Sequence, residues 1–414
     1  MKIAVVGCDA ELFELVRLLV SRHGAELTMA WGDANWRTRW QTLAPDAVGV
    51  DDWQVITTDP SLDLVVIGRE RDAQALADDA QVAILKRFVQ EGATILVSHP
   101  ACSAIAALEL DMIRRDTKAR ILVHFPGARH PALEALAQLV AAGEEGSIGR
   151  VEQVVFERTL AQRDRTTVLE QFARDAYVMR QIAGRINRVG ATSAHTGDAA
   201  WASLGIQMTG DGQMLLRWSV EPGDPDRGGR VVLIGARGRA TLEMRRNADW
   251  SLTTSTDEQQ RTYSRDDVDR SAVTKLLEEA TQADNDWPGV CRDLDVADLV
   301  ETSLRRGRML ELHHDTVTEE DTFKGVMSAV GCLLLLLVPL VMIAAVVIDG
   351  FVHGWHTQMD YDRQGASGMS SQSSGGNIRF WLILILVPLL LFLMLQTLQL
   401  VFRRSPKNPG ADGS

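Results

Sequence analysis

Few groups of residues carry side chains able to hold a metal or close a disulfide, and their spacing decides against both. Cys8, Cys102, Cys291 and Cys332 are scattered, with no CxxC pair. They predict neither a zinc site nor a disulfide framework, and they point to a reducing compartment. His313, His314 and Asp315 are adjacent rather than spaced by a helical turn, while His353 and His356, at i and i+3, lack a third ligand nearby. The sequence holds no G-x-S-x-G turn, no Walker motif and no internal repeat. A net charge of -12 excludes non-specific nucleic-acid binding, which depends on neutralising phosphates.

The elements that must position any site are read from apolar spacing. Lys2 to Val6 is a short β-branched run broken by Gly7, and Glu11 to Val20 has helical spacing through Leu12, Leu15, Leu18 and Leu19. Strands are predicted at Glu26 to Trp31, Leu62 to Ile67, Thr94 to Val97 and Ala119 to His124, with helices at Ala80 to Gln90 and Ala101 to Arg114 between them. This alternation predicts βαβ units and a doubly wound parallel sheet over residues 1–125.

Near Arg150 the pattern changes. Val151 to Leu160, Ile206 to Val220, Arg230 to Ile234 and Ala240 to Arg245 alternate in polarity, with turn signals at Thr209 to Gly212 and Glu221 to Gly229. They predict an antiparallel sheet with one exposed face. Helices at Val168 to Ala183, Val268 to Ala283 and Arg292 to Arg306 and a closing strand at Met309 to Leu312 complete an α+β domain over residues 126–313.

Beyond a linker at 314–324, Gly325 to Ile348 and Phe380 to Phe402 carry no charge, and each exceeds the roughly 20 residues needed to span a bilayer. They predict two transmembrane helices, joined by a flexible extracytoplasmic loop at 349–379 and followed by a tail at 403–414. Arg305, Arg306, Arg308 and Lys324 precede the first span, and Arg403, Arg404 and Lys407 follow the second. That bias places both termini and the large N-terminal region in the cytoplasm of a two-pass cell (inner) membrane protein. The opening residues do not form a signal peptide, because Asp9, Glu11 and Glu14 interrupt a short apolar start.

The order of elements over residues 1–313, with the strings KIAVVGC, LDLVVIG, EGATILVSHP, HFPGARHPALEALAQLVAAGEEGSIGRVEQV and DVADLVETSLRRGRMLEL, resembles the Gfo/Idh/MocA oxidoreductases. These include glucose–fructose oxidoreductase and inositol dehydrogenase. The resemblance implies a Rossmann-type sheet that binds NAD or NADP, followed by an α+β domain, with hydride transfer near their junction. It places the cofactor at Gly7 and Cys8, its ribose at Asp33 and a phosphate partner at Arg69. It assigns His99 to the family's lysine position, and Asp175 and Tyr177 as substitutes for its His-x-x-Asp pair. A homo-oligomer and a small-molecule ligand follow from the same likeness.

The chain departs from the family at these positions. Only the first glycine of G-x-G-x-x-G is kept, and Asp9 stands where a pyrophosphate comes closest. Two like charges 4 Å apart at an effective dielectric near 20 repel by roughly 4 kcal/mol. The sequence therefore supports a degenerate member acting as a sensing or scaffold domain. The alternative is an active NAD(P)-dependent enzyme on a sugar-like or other small hydroxy substrate.

Overall fold

The computed structural model describes residues 1–69, 76–224, 228–245, 248–256, 260–281 and 286–312, together with Ile343 and Val347. The expected spans at 325–348 and 380–402 lie outside the described residues, save for those two helical positions. Among the described residues no helix is long and apolar enough to cross a membrane.

The N-terminal half runs β1 (Lys2–Val6), α1 (Ala10–His23), β2 (Glu26–Trp31), α2 (Ala34–Leu43), β3 (Val48–Gly49), α3 (Gln54–Thr57), β4 (Leu64–Ile67), α4 (Leu76–Gln90), β5 (Thr94–Ser98), α5 (Ala104–Thr117), β6 (Arg120–His124) and α6 (Pro131–Ala141). Its strands form an all-parallel sheet in the order β3-β2-β1-β4-β5-β6. Parallel strands bury both faces, which is why β4 reads LVVI with every residue buried. Alternate residues of one strand then feed different cores. Ile3 and Val5 pack with Leu12, Leu19 and Leu64 on one face. Ala4 and Val6 join Val97, Val123 and Phe156 on the other.

The second half runs β7 (Val151–Leu160), α7 (Arg165–Ala183), β8 (Ile186–Thr192), β9 (Gly205–Gly210), β10 (Leu215–Pro222), β11 (Gly229–Gly235), β12 (Arg239–Met244), β13 (Trp250–Thr254), β14 (Gln260–Tyr263), α8 (Arg265–Thr281), α9 (Trp287–Arg306) and β15 (Leu310–Glu311). The turn signal at Thr209 to Gly212 falls where the chain reverses, at Asp211–Gln213, so residues 206–220 form two strands and β9 pairs back onto β10. One expectation needs correction. The sheet is mixed rather than antiparallel: its order is β14-β13-β12-β11-β7-β10-β9-β8-β15, and β7 and β10 lie parallel at its centre. The reason is connectivity, since α7, β8 and β9 intervene and bring β10 back in the direction of β7.

The two halves do not fold as separate bodies. Val273 and Leu276 of α8 pack into the core beneath α1, and α9 packs along α5. Residues Met1–His313 form one compact unit.

Candidate functional site

The first turn of the parallel sheet is built by backbone geometry. Gly7 takes φ 65°, a left-handed value that costs glycine little, and lets β1 turn into α1. Asp9 is the N-cap of α1, its Oδ1 accepting the Leu12 amide at 2.9 Å and its Oδ2 the Arg69 amide at 3.4 Å. The carboxylate thus serves the helix start at which an anion would otherwise bind. Cys8 is buried, its Sγ donating to the Asp9 carbonyl at 3.2 Å, and burial pushes its thiol well above the usual range. Asp33 behaves as Asp9 does, with Oδ1 accepting the Trp36 amide at 2.8 Å to cap α2.

His99 follows β5 and is 1% exposed. Its ring lies against Phe125 and Tyr177, at centroid separations of 5.8 and 5.9 Å. Nε2 sits 3.3 Å from the Ala173 carbonyl, while Nδ1 has no partner among the described residues. That contact assigns the proton to Nε2. Burial, with Arg174 and Arg180 nearby, outweighs the Ala173 carbonyl and pulls the imidazole down to about 3. It is therefore uncharged at neutral pH.

Two ion pairs link the halves over this histidine. Arg69 Nη1 meets Glu170 Oε1 at 2.6 Å. Arg174 forks onto Glu11, with Nη1 and Nη2 at 3.1 and 2.9 Å from the two carboxylate oxygens, and its Nε donates to the His99 carbonyl at 2.8 Å. Glu170 and Arg174 are one turn apart on α7, so a single helix face supplies both closures. What remains between Asp9, Arg69, Ser98, His99, Glu170 and Arg174 is a cavity of about 10 Å³. That is room for one water.

The structure therefore brings Gly7, Cys8, Arg69 and His99 to one place, with Asp33 at the neighbouring strand end. It sets Asp175 apart. Asp175 is 0% exposed and accepts from Arg158, from Trp218 Nε1 at 2.8 Å and from Gln171 at 3.2 Å, which ties α7 to β7 and β10. Tyr177 lies against His99 with its ring tilted by 49°, and burial raises its phenol to about 12. Sequence reasoning passed over Glu11, Glu170 and the bridging role of Arg174. The available signal was charge of opposite sign at the start of one helix and along one face of another.

Two features of these residues disfavour a dinucleotide as they stand: the Asp9 carboxylate occupies the start of α1, and the two ion pairs leave only the small cavity beside His99.

No protein-family model matches the sequence, and a search of curated proteins finds no match. Solved structures do match. Myo-inositol dehydrogenase from Corynebacterium glutamicum is 17% identical, with a TM-score of 0.59 over 76% of this chain and 99% of that one. An oxidoreductase from Agrobacterium radiobacter, solved with NAD+, L-tartaric acid and magnesium, is 13% identical, with a TM-score of 0.58 over 75% of this chain and 98% of that one. Biliverdin reductase from Synechocystis, solved with biliverdin and NADP+, is 16% identical, with a TM-score of 0.55 over 73% of this chain and 99% of that one. The N-terminal three quarters of the chain thus share the fold of Gfo/Idh/MocA-type oxidoreductases.

Proposed function

We propose that this chain is a membrane-tethered, non-catalytic relative of these oxidoreductases, whose folded region works in the cytoplasm as a sensing or scaffold domain. One observation carries the reading: the cleft that holds a dinucleotide in this fold is bridged by Arg69–Glu170 and Arg174–Glu11 and keeps room for a single water. Both pairs are partly buried, so they are screened somewhat less than fully exposed pairs. His99, at the position of the family's lysine, is buried and uncharged, so it is not the cationic acid that a lysine supplies, and its one N–H is turned to the Ala173 carbonyl.

The test is melting of the full chain, reconstituted in lipid nanodiscs, with and without NADH or NADPH. A cofactor at 100 times its dissociation constant adds about 2.7 kcal/mol of stability. No shift is expected at millimolar cofactor, and a saturable rise in melting temperature overturns the reading. The bound NAD+ and NADP+ of two fold relatives favour a second reading, an active NAD(P)-dependent oxidoreductase on a small hydroxy substrate. It requires both ion pairs to part on binding, and it predicts hydride transfer that is lost in His99→Ala.

The tether is the pair of uncharged segments at 325–348 and 380–402. An accessibility reporter in the loop between Gly365 and Gly376 is expected to be labelled only from outside the cytoplasm. Labelling from the cytoplasmic side contradicts the two-pass arrangement.

A further inference from the structure

A second cavity lies on the other side of Tyr177 and shares no lining residue with the closed cleft. It holds about 200 Å³ between β6, α7, α8 and the start of α9. A preformed apolar space of about 150 Å³ is enough to take benzene. Ile121, Val123, Trp287 and Val290 supply its apolar wall. The indole N–H of Trp287 is already given to the Ala107 carbonyl at 3.1 Å, so that ring offers the cavity its apolar surface.

The polar groups narrow what belongs there. Arg129 is spent on its neighbours: Nε and Nη2 go to Glu279 and Nη1 to the Val123 carbonyl at 3.0 Å. Glu279 and Asp286 add carboxylates at the rim, and Asp286 is held by Arg180 at 2.7 Å. An anion would face these acids with the arginines already engaged. Tyr177 is different. It is 4% exposed and lines this cavity, and its hydroxyl makes no hydrogen bond to a described residue. That hydroxyl is not one of the fully buried side-chain atoms left without a partner, so it opens onto the cavity, where a ligand or water can take its hydrogen bond.

We infer that this cavity is a binding site for a small uncharged ring compound bearing a hydroxyl or carbonyl, which stacks against the Trp287 and Val290 wall and hydrogen-bonds to the Tyr177 hydroxyl. The inference deepens the sensing reading by naming the class of molecule sensed, and it rests on that reading only for the purpose of binding.

Phenol is a suitable probe. The full chain is labelled with 5-fluorotryptophan, and Trp287→Phe identifies the Trp287 signal among the ten tryptophans. In fluorine NMR of the protein in nanodiscs, the Trp287 resonance is expected to move saturably as phenol is raised to about 10 mM. Tyr177→Phe, which keeps the ring, is expected to raise the midpoint about tenfold through loss of one buried hydrogen bond, with the melting temperature serving as a control for folding. Benzoate is expected to bind at least about tenfold more weakly than phenol, given the rim carboxylates. A Trp287 signal that stays still, a midpoint unchanged in Tyr177→Phe, or benzoate binding equal to phenol overturns the proposal. NADH binding is a separate measurement, so failure of the cavity and failure of the closed-cleft reading are told apart.

Discussion

Asp175→Ala is expected to destabilise the folded region by about 3–5 kcal/mol, the usual consequence of removing one partner from a buried ion pair. The carboxylate has no exposed surface, and both its oxygens are used. Arg158 donates from Nε at 2.7 Å and again from Nη2, and Trp218 Nε1 donates at 2.8 Å. Truncation leaves a guanidinium, with its side chain 13% exposed, facing a void without its counter-charge, and it strands an indole N–H in the core. Three elements feel the loss together, since Arg158 is on β7, Trp218 on β10 and Asp175 on α7. In a region of this size the change corresponds to a fall of about 5–8 °C in melting temperature. Asp175→Asn keeps the shape and one acceptor and should fall between the two. A loss below about 1 kcal/mol in Asp175→Ala would show that the network is replaced by water. A catalytic role would instead leave stability intact and remove activity, so the same variant separates the structural and chemical assignments of this residue.

How much was legible in the sequence follows from where the determining contacts lie. The parallel sheet was legible because burial on both faces leaves KIAVV, LVVI and TILVS with hardly a polar residue. Helix α2 was not, because ANWRTRWQTL buries only Trp40 and so carries no apolar face to count. Strand β8, INRVGAT, mixes polar residues into a buried strand and gives no clean alternation. The parallel pairing of β7 with β10 joins Gln153 to Leu215 across the intervening helix and hairpin, and no local pattern records such a register.

The candidate site divides in the same way. Asp9 was readable as a charge in the phosphate position, and its capping bond is a local, three-residue affair. The partner of Glu11 is Arg174, 163 positions away, and only the folded chain brings them together. Tyr177 reads as a substitute in a catalytic pattern because it aligns with the family's His-x-x-Asp helix. The folded chain leaves it out of the lining of the closed cleft and places it on a different cavity.

Gly68→Ala is expected to cost about 2–3 kcal/mol, at the upper end of ordinary overpacking. The reason is that backbone meets backbone. A Cβ at Gly68 would stand 2.5 Å from the Cα of Cys8, 2.8 Å from its amide nitrogen and 2.9 Å from its carbonyl carbon, and a main chain cannot rotate aside as a side chain does. The absence of a side chain lets the end of β4 ride directly on the turn after β1, held there by the Gly68 amide on the Val6 carbonyl at 3.0 Å. The consequence reaches the cleft. Arg69 follows at once, its amide on Asp9 and its guanidinium on Glu170, so a displaced Gly68 must draw both contacts with it. Gly68→Ala should therefore both lower the urea midpoint and speed hydrogen exchange at the Arg69 amide beyond what global destabilisation accounts for. Arg69→Ala, which removes the ion pair without touching the packing, should speed that exchange while costing about 1 kcal/mol or less, because the pair is only partly buried. If the two variants lose the same stability, the close approach of the two turns is not what holds the cleft shut, and closure rests on the charges alone.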